Sequence, residues 1–121
     1  MPVIDEQFAH AFGTEWCAAW TSNDLERILS HYTDDFEMAS PYIAQMLPGA
    51  TGGILKGKDA VRAYWKTGLE RLPDLHFELI GTFSGSDAIA LYYHGAQGKT
   101  VVEVLFFADD GRVRKATALY S

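Results

Sequence analysis

The chain has 121 residues, enough for one domain that buries roughly two-thirds of its unfolded surface without covalent staples. Its formal net charge is −6, and its basic residues cluster only at Arg112, Arg114 and Lys115, so nucleic acid is not an expected partner. Cys17 is the only cysteine, which excludes an intrachain disulfide and a thiolate metal cluster. No apolar run approaches the ~18 residues of a membrane span, and no basic-then-apolar leader opens the chain, so a cytoplasmic protein with no membrane partner is expected.

From Asp5 to Thr21 the residues Phe8, Phe12, Trp16, Ala19 and Trp20 recur at helical spacing. Ser22-Asn23-Asp24 interrupts that helix. Asn23, with Glu26 three positions on, resembles a capping box opening a second helix, whose buried stripe is Leu25, Ile28, Leu29 and Tyr32. Thr33-Asp34-Asp35 reads as a turn into a short strand, Phe36 to Ala39, and Pro41 stops its pairing. Residues 40–57 then read as a long loop, with Pro41, Pro48 and four glycines. It also carries Tyr42, Ile43, Met46, Leu47, Ile54 and Leu55, which argues against free disorder. A flap over a cavity is the preferred reading of 42–56; a packed surface loop or a dimer contact are the alternatives.

The clearest helix follows, with Val61, Tyr64, Trp65, Gly68, Leu69 and Leu72 on one stripe and Pro73 ending it. Four strand-like segments come last: Leu75–Phe83, Ala88–His94, Val101–Phe107 and Val113–Tyr120. Their connections are short and turn-like, which predicts antiparallel pairing. The result is a single α+β domain over residues 1–121, with three helices on one face of a mostly antiparallel sheet.

The strand Val101–Phe107 holds the leading site candidate. Side chains alternate along a strand, so Val101, Glu103, Leu105 and Phe107 share one face and Val102, Val104 and Phe106 the other. Both faces are apolar. Glu103 is therefore a buried acid with a task, or else an edge glutamate paired with Arg112, Arg114 or Lys115. Burial would raise its pKa and suit it to hydrogen-bond donation or acid–base work near neutrality.

Other candidates are weaker. Trp16 and Trp20 lie one helical turn apart, and an indole N–H can orient a ligand oxygen but takes up no proton, so core packing is the competing role. Cys17 reads as a buried, inert thiol. His10, His31, His76 and His94 show no metal-ligand spacing, and no metal is expected. His31 is a candidate for proton transfer, while His76 and His94 read as exposed. Tyr42, Tyr64, Tyr92, Tyr93 and Tyr120 offer hydroxyls to a pocket, and only one of Tyr64 and Trp65 is expected to line it fully. Ser40 either meets a ligand or caps the turn before Pro41. The chain carries no phosphate loop, dinucleotide fingerprint or Ser–His–Asp signature, so no cofactor is expected.

The order of elements resembles the nuclear transport factor 2-like superfamily. The pieces Trp20-Thr21-Ser22-Asn23-Asp24-Leu25, Tyr32-Thr33-Asp34-Asp35-Phe36, Leu55-Lys56-Gly57-Lys58-Asp59-Ala60-Val61 and Asp110-Gly111-Arg112-Val113 resemble its SnoaL-like branch over nearly the whole chain. The resemblance implies a curved sheet wrapped by helices into a cone, an apolar pocket, and a homodimer formed through the outer sheet face. Ketosteroid isomerase is the informative relative. Its oxyanion-donor tyrosine would fall on Trp16, its general-base aspartate on Ser40 and its protonated aspartic acid on Glu103. Only the last keeps its chemistry, so that activity is not expected.

The reading is a pocket for a small hydrophobic molecule. Glu103 is the catalytic candidate, and Trp16, Trp20, Tyr32, Ser40, Tyr42, Tyr64 and Trp65 are the ligand-binding ones. The reaction would be cofactor-independent: isomerisation, cyclisation, dehydration or hydrolysis. The alternative is a non-catalytic ligand-binding or dimerisation domain.

Overall fold

A computed structural model describes residues 3–47, 49 and 51–121. Helix α1 runs Glu6–Thr21, capped by Asp5, whose carboxylate accepts from the Phe8 amide. Its apolar stripe packs on the sheet, most closely at Gly13, where an added Cβ would stand 2.9 Å from Leu91 Cδ2. Helix α2 is Leu25–Leu29. Its cap is Asp24, one residue beyond the expected Asn23, because Asn23 takes a left-handed φ of 62° and turns the chain between the helices.

Strand β1 spans Tyr32–Ala39, four residues earlier than expected. The polar Thr33-Asp34-Asp35 run does not form a turn but an irregular stretch within the strand. The register against the last strand shifts there, and the Thr33 hydroxyl donates to Asp35. The described residues of 40–57 are also more ordered than a loop. Helix α3 occupies Pro41–Met46, with Ser40 as N-cap and Pro41 in the first turn, so the proline starts a helix where it was expected only to end pairing. A 3-10 turn at Thr51–Gly53 and strand β2, Ile54–Lys56, complete the segment. Pro48 and Ala50 lie outside the described residues.

Helix α4 is Lys58–Arg71, and strands β3 to β6 are Glu78–Ser84, Ala88–His94, Thr100–Phe107 and Val113–Tyr120. β3 starts three residues after the expected Leu75, whose amide closes a turn onto the Leu72 carbonyl. The sheet order is β2-β1-β6-β5-β4-β3. Among the described residues only the β1–β6 pair is parallel, the others being antiparallel. Among the described residues the helices thus number four rather than three, and the fold is the α+β cone with a curved, open six-stranded sheet.

The core lies between the inner sheet face and the helices. Ile89, Leu91, Val101, Leu105, Phe107, Val113 and Ala116 point inward and are buried against Trp16, Ile28 and Val61. Each large member stabilises the fold by about 1.5–3 kcal/mol through loss of apolar surface from water. Among the described residues no helix is long and apolar enough to cross a membrane.

Candidate functional site

The aromatic residues leave a cavity of about 830 Å³ between α1, α4 and the inner face of β4–β6, opening beneath α3. That volume falls in the range of small-molecule sites, ~300–1,000 Å³. At its deep end stand Glu103, Val101 and Tyr93 from the central strands, all buried. Glu103 points inward because strand alternation places it on the face of Val101, Leu105 and Phe107. Its neighbours across the strands are Leu91 and Ala118.

Glu103 is 3 % exposed. Loss of hydration pushes its carboxyl up to about 7, and a hydrogen bond from Tyr93 partly opposes that rise. Tyr93 Oη donates to Glu103 Oε1 at 3.0 Å. Burial and the nearby carboxyl in turn raise Tyr93 well above the ordinary phenol range, so it stays a donor. Glu103 Oε2 makes no hydrogen bond among the described residues. The edge-glutamate alternative does not hold: Arg112 pairs with Asp110 and Arg114 with Asp87.

Trp16 lines the cavity with its ring, set 5.1 Å from Tyr93 and 5.5 Å from Phe77 between centroids. Its N–H is not aimed at a ligand; it donates to Tyr32 Oη at 2.8 Å. Tyr32 itself is fully buried behind the wall and does not line the cavity, which corrects its place among the expected ligand contacts. Trp20 stacks on Phe77 at 5.3 Å and meets Trp65 edge-on at 4.8 Å. Trp20 Nε1 is buried with no hydrogen-bond partner among the described residues. Tyr64 and Trp65 both line the cavity, because it extends along enough of α4 to meet two adjacent residues.

Ser40 also lines it, but its hydroxyl accepts from the Tyr42 amide at 3.2 Å as the cap of α3. Tyr42 stands at the mouth, edge-on to Tyr120 at 4.6 Å. Burial pushes the Tyr120 hydroxyl up to about 12. His31 is remote from the cavity: it meets Glu15 at 3.3 Å and the Phe12 ring, so no proton-transfer role there is open to it. Cys17 is buried and its thiol is pushed up to about 11 by burial, as an inert thiol should be.

Met38, Phe77, Arg71 and Lys99 line the cavity without having been marked as site candidates by the sequence. Met38 and Phe77 are core-like positions with no distinguishing signal. Arg71 and Lys99 look like solvated charges at the ends of elements, and only the fold brings both to the mouth.

Fold and site together define a nuclear transport factor 2-like cone with a deep apolar cavity and one acid at its inner end. The SnoaL-like domain model matches residues 14–116, and the chain belongs to the SnoaL-like family. The structure superposes on a SnoaL-like protein of unknown function from Burkholderia thailandensis E264 with a TM-score of 0.94, 48% identity and 99% of each chain covered. More distant fold neighbours include a candidate isomerase of the SnoaL-like family from Agrobacterium tumefaciens C58. Its TM-score is 0.74 at 14% identity, with 95% of this chain and 98% of that one covered. Another is SalBIII, an epoxide hydrolase/cyclase-like enzyme of pyran ring formation in salinomycin, with a TM-score of 0.74 at 13% identity, covering 97% and 93%. Among curated proteins none matches the chain.

Proposed function

We propose that the cavity binds a small hydrophobic organic molecule and that Glu103 performs cofactor-independent acid–base chemistry on it. One observation carries this reading: a buried carboxyl raised to about 7 lies at the inner end of an open apolar cavity, with Tyr93 as its hydrogen-bond partner. Such a group is present in both protonation states near neutral pH. It can take a proton from a substrate C–H or O–H and return one to the same molecule, which is what isomerisation, cyclisation, dehydration and hydrolysis each need. Tyr93 fixes one carboxyl oxygen and leaves the other for the substrate. The names of two fold neighbours, one a candidate isomerase and one an epoxide hydrolase/cyclase-like enzyme, fall within these classes.

The test is a titration of the Glu103 carboxyl by carbon NMR on glutamate-labelled protein, with Glu103→Gln to assign the resonance. A midpoint near neutrality is expected; one at the ordinary glutamate value of ~4.3 removes the protic centre. A thermal-shift and turnover screen of hydrophobic carbonyl compounds follows on both proteins. Turnover that disappears in Glu103→Gln while binding remains supports catalysis.

A second reading, binding without catalysis, is favoured by Ser40. It stands where the resemblance to ketosteroid isomerase would put a general base, and its hydroxyl serves as a helix cap. Binding with no turnover in either protein is its signature. We also propose a homodimer through the outer sheet face. Phe83, Ala90, Val104 and Thr117 are aligned there across four strands, and Tyr92, Val102 and Leu119 form the next row. Phe83 and Leu119 are 65% and 53% exposed. Sedimentation should give a dimer at micromolar concentration, and Phe83→Lys should convert it to monomer.

A further inference from the structure

The mouth of the cavity is charged against the trend of the protein. Net charge is −6, yet among the described residues the only ionised side chains lining the mouth are Arg71, from the last turn of α4, and Lys99, from the β4–β5 connection. The one acid lining the cavity among the described residues, Glu103, is buried at its inner end.

Arg71 is also unlike the other arginines. Arg27, Arg62, Arg112 and Arg114 each pair with a carboxylate: Glu15, Glu26, Asp110 and Asp87. Arg71 makes no ion pair among the described residues. Its guanidinium donates to the thioether of Met46 at 4.0 Å, a weak acceptor. Lys99 donates to the Tyr42 hydroxyl and lies 4.5 Å from the centroid of that ring. Both cations therefore reach across to α3 and hold only neutral acceptors. Asp74 lines the shallow groove that Arg71 shares with the cavity mouth, but among the described residues it forms no ion pair with Arg71.

We infer that the molecules this cavity takes are hydrophobic carboxylates, whose apolar body enters between the aromatic walls while the carboxylate stays at the mouth between Arg71 and Lys99. The inference rests on the reading of the cavity as a small-molecule site and adds its substrate class. A guanidinium and an ammonium with neutral partners exchange a phenol and a thioether for a charged acceptor, and charge-assisted hydrogen bonds are about twice as strong. The acid end is kept from the interior because a second carboxyl beside Glu103 would be desolvated next to a group that already resists ionisation. The cationic mouth of an acidic protein also draws anions toward the opening and repels cations.

All three tryptophans of the chain, Trp16, Trp20 and Trp65, line the cavity. Their fluorescence therefore reports its occupancy directly, and quenching by a pyrene-bearing ligand gives the test. Wild-type protein is titrated with 1-pyrenebutyrate and with the neutral 1-pyrenebutanol, then repeated with the Arg71→Gln/Lys99→Gln double variant. Both substituted residues are exposed, so the fold should be retained, and far-ultraviolet circular dichroism verifies it. The carboxylate is expected to bind about 10-fold tighter than the alcohol at low salt, a preference that shrinks in ~0.5 M salt as screening sets in. In the double variant the preference should vanish while the alcohol binds as in wild type. Equal affinity of the two probes for wild type overturns the carboxylate-binding mouth and leaves the hydrophobic cavity standing. A preference that survives the double substitution overturns the assignment to Arg71 and Lys99. Quenching by neither probe overturns the cavity reading itself, and this inference with it.

Discussion

The inner end of the cavity and its mouth are built from opposite kinds of structure. Glu103 and Tyr93 stand on strands paired on both sides, among rings that meet one another at centroid distances of 4.8 to 5.5 Å. At the mouth, α3 is six residues long, and Arg71 and Lys99 reach it through exposed side chains and neutral acceptors. Geometry at the inner end is therefore fixed by the core. The mouth belongs to the weakly held part of the molecule, where local opening costs least. A site that must position a proton and also admit an apolar molecule needs both. The difference is open to direct attack, beginning with substitutions at the inner end.

Trp16→Ala should have the largest effect. It removes a ring 2 % exposed that touches Trp20, Phe77 and Tyr93, and it strips Tyr32 of its donor. A loss of about 3–5 kcal/mol in urea unfolding is expected. If that variant does not fold, Trp16→Phe keeps a ring and loses the N–H, at about 1–2 kcal/mol. A cost below that of an exposed substitution would mean the aromatic wall is not fixed.

Next comes Glu103→Gln, read as a function of pH. The folded-state value of about 7 lies above the ordinary 4.5, so the folded protein holds this proton more tightly than the unfolded chain. Stability from this group is fully present below about 4.5 and is lost as pH rises through about 7. The loss is on the order of 3 kcal/mol. Glutamine has no proton to release and still accepts from Tyr93. Between about pH 5 and about pH 9 the variant should therefore gain on wild type by that amount. Parallel stability curves would place the carboxyl in contact with water and remove the contrast between the two ends.

The same contrast explains what could be read from the chain alone. Glu103 was legible because alternation over Val101–Phe107 leaves a single polar residue on a buried face, and period-2 patterning survives any detail of packing. The stripe through Phe8, Phe12 and Trp16 was legible for a like reason. Helix α3 was not: six residues hold too few turns for periodicity, and Pro41 signals a strand's end as well as a helix's start. The start of β1 was hidden because Thr33, Asp34 and Asp35 are turn formers, and the irregular stretch that absorbs them depends on pairing with β6, far along the chain. Nothing local distinguishes Trp16, whose N–H is spent on Tyr32, from an indole that serves a ligand. Arg71 and Lys99 gain meaning only when the β4–β5 connection meets the end of α4.

The 3-10 turn between α3 and β2 holds two glycines in left-handed conformations, Gly52 at φ 66° and Gly53 at φ 69°. A Cβ at Gly53 would stand 2.8 Å from the Ser40 carbonyl oxygen, whereas one at Gly52 would meet only the Ile54 side chain at 3.9 Å. Gly53 also accepts from the Ser40 amide at 3.0 Å, so it anchors the residue that caps α3. Both alanine variants bear the cost of an unfavourable φ, about 1–2 kcal/mol. Gly53→Ala should exceed Gly52→Ala by a further ~1 kcal/mol for the backbone clash. Equal urea midpoints for the two variants would mean that α3 is not held through Ser40.

The smallest expected effect is at the mouth itself. Tyr42→Phe removes the hydroxyl to which Lys99 donates but keeps a ring for the ammonium to rest against and for Tyr120 to pack on. An exposed lysine that loses a phenol is rehydrated at once, so the change in unfolding free energy should stay within about 0.5 kcal/mol. If the mouth is held as weakly as its acceptors suggest, amide exchange across Pro41–Met46 should quicken in this variant while exchange in β4 and β5 stays unchanged. A loss of stability like that of Trp16→Ala would instead make α3 part of the core. The mouth would then be held as firmly as the inner end, and the contrast between the two would be lost.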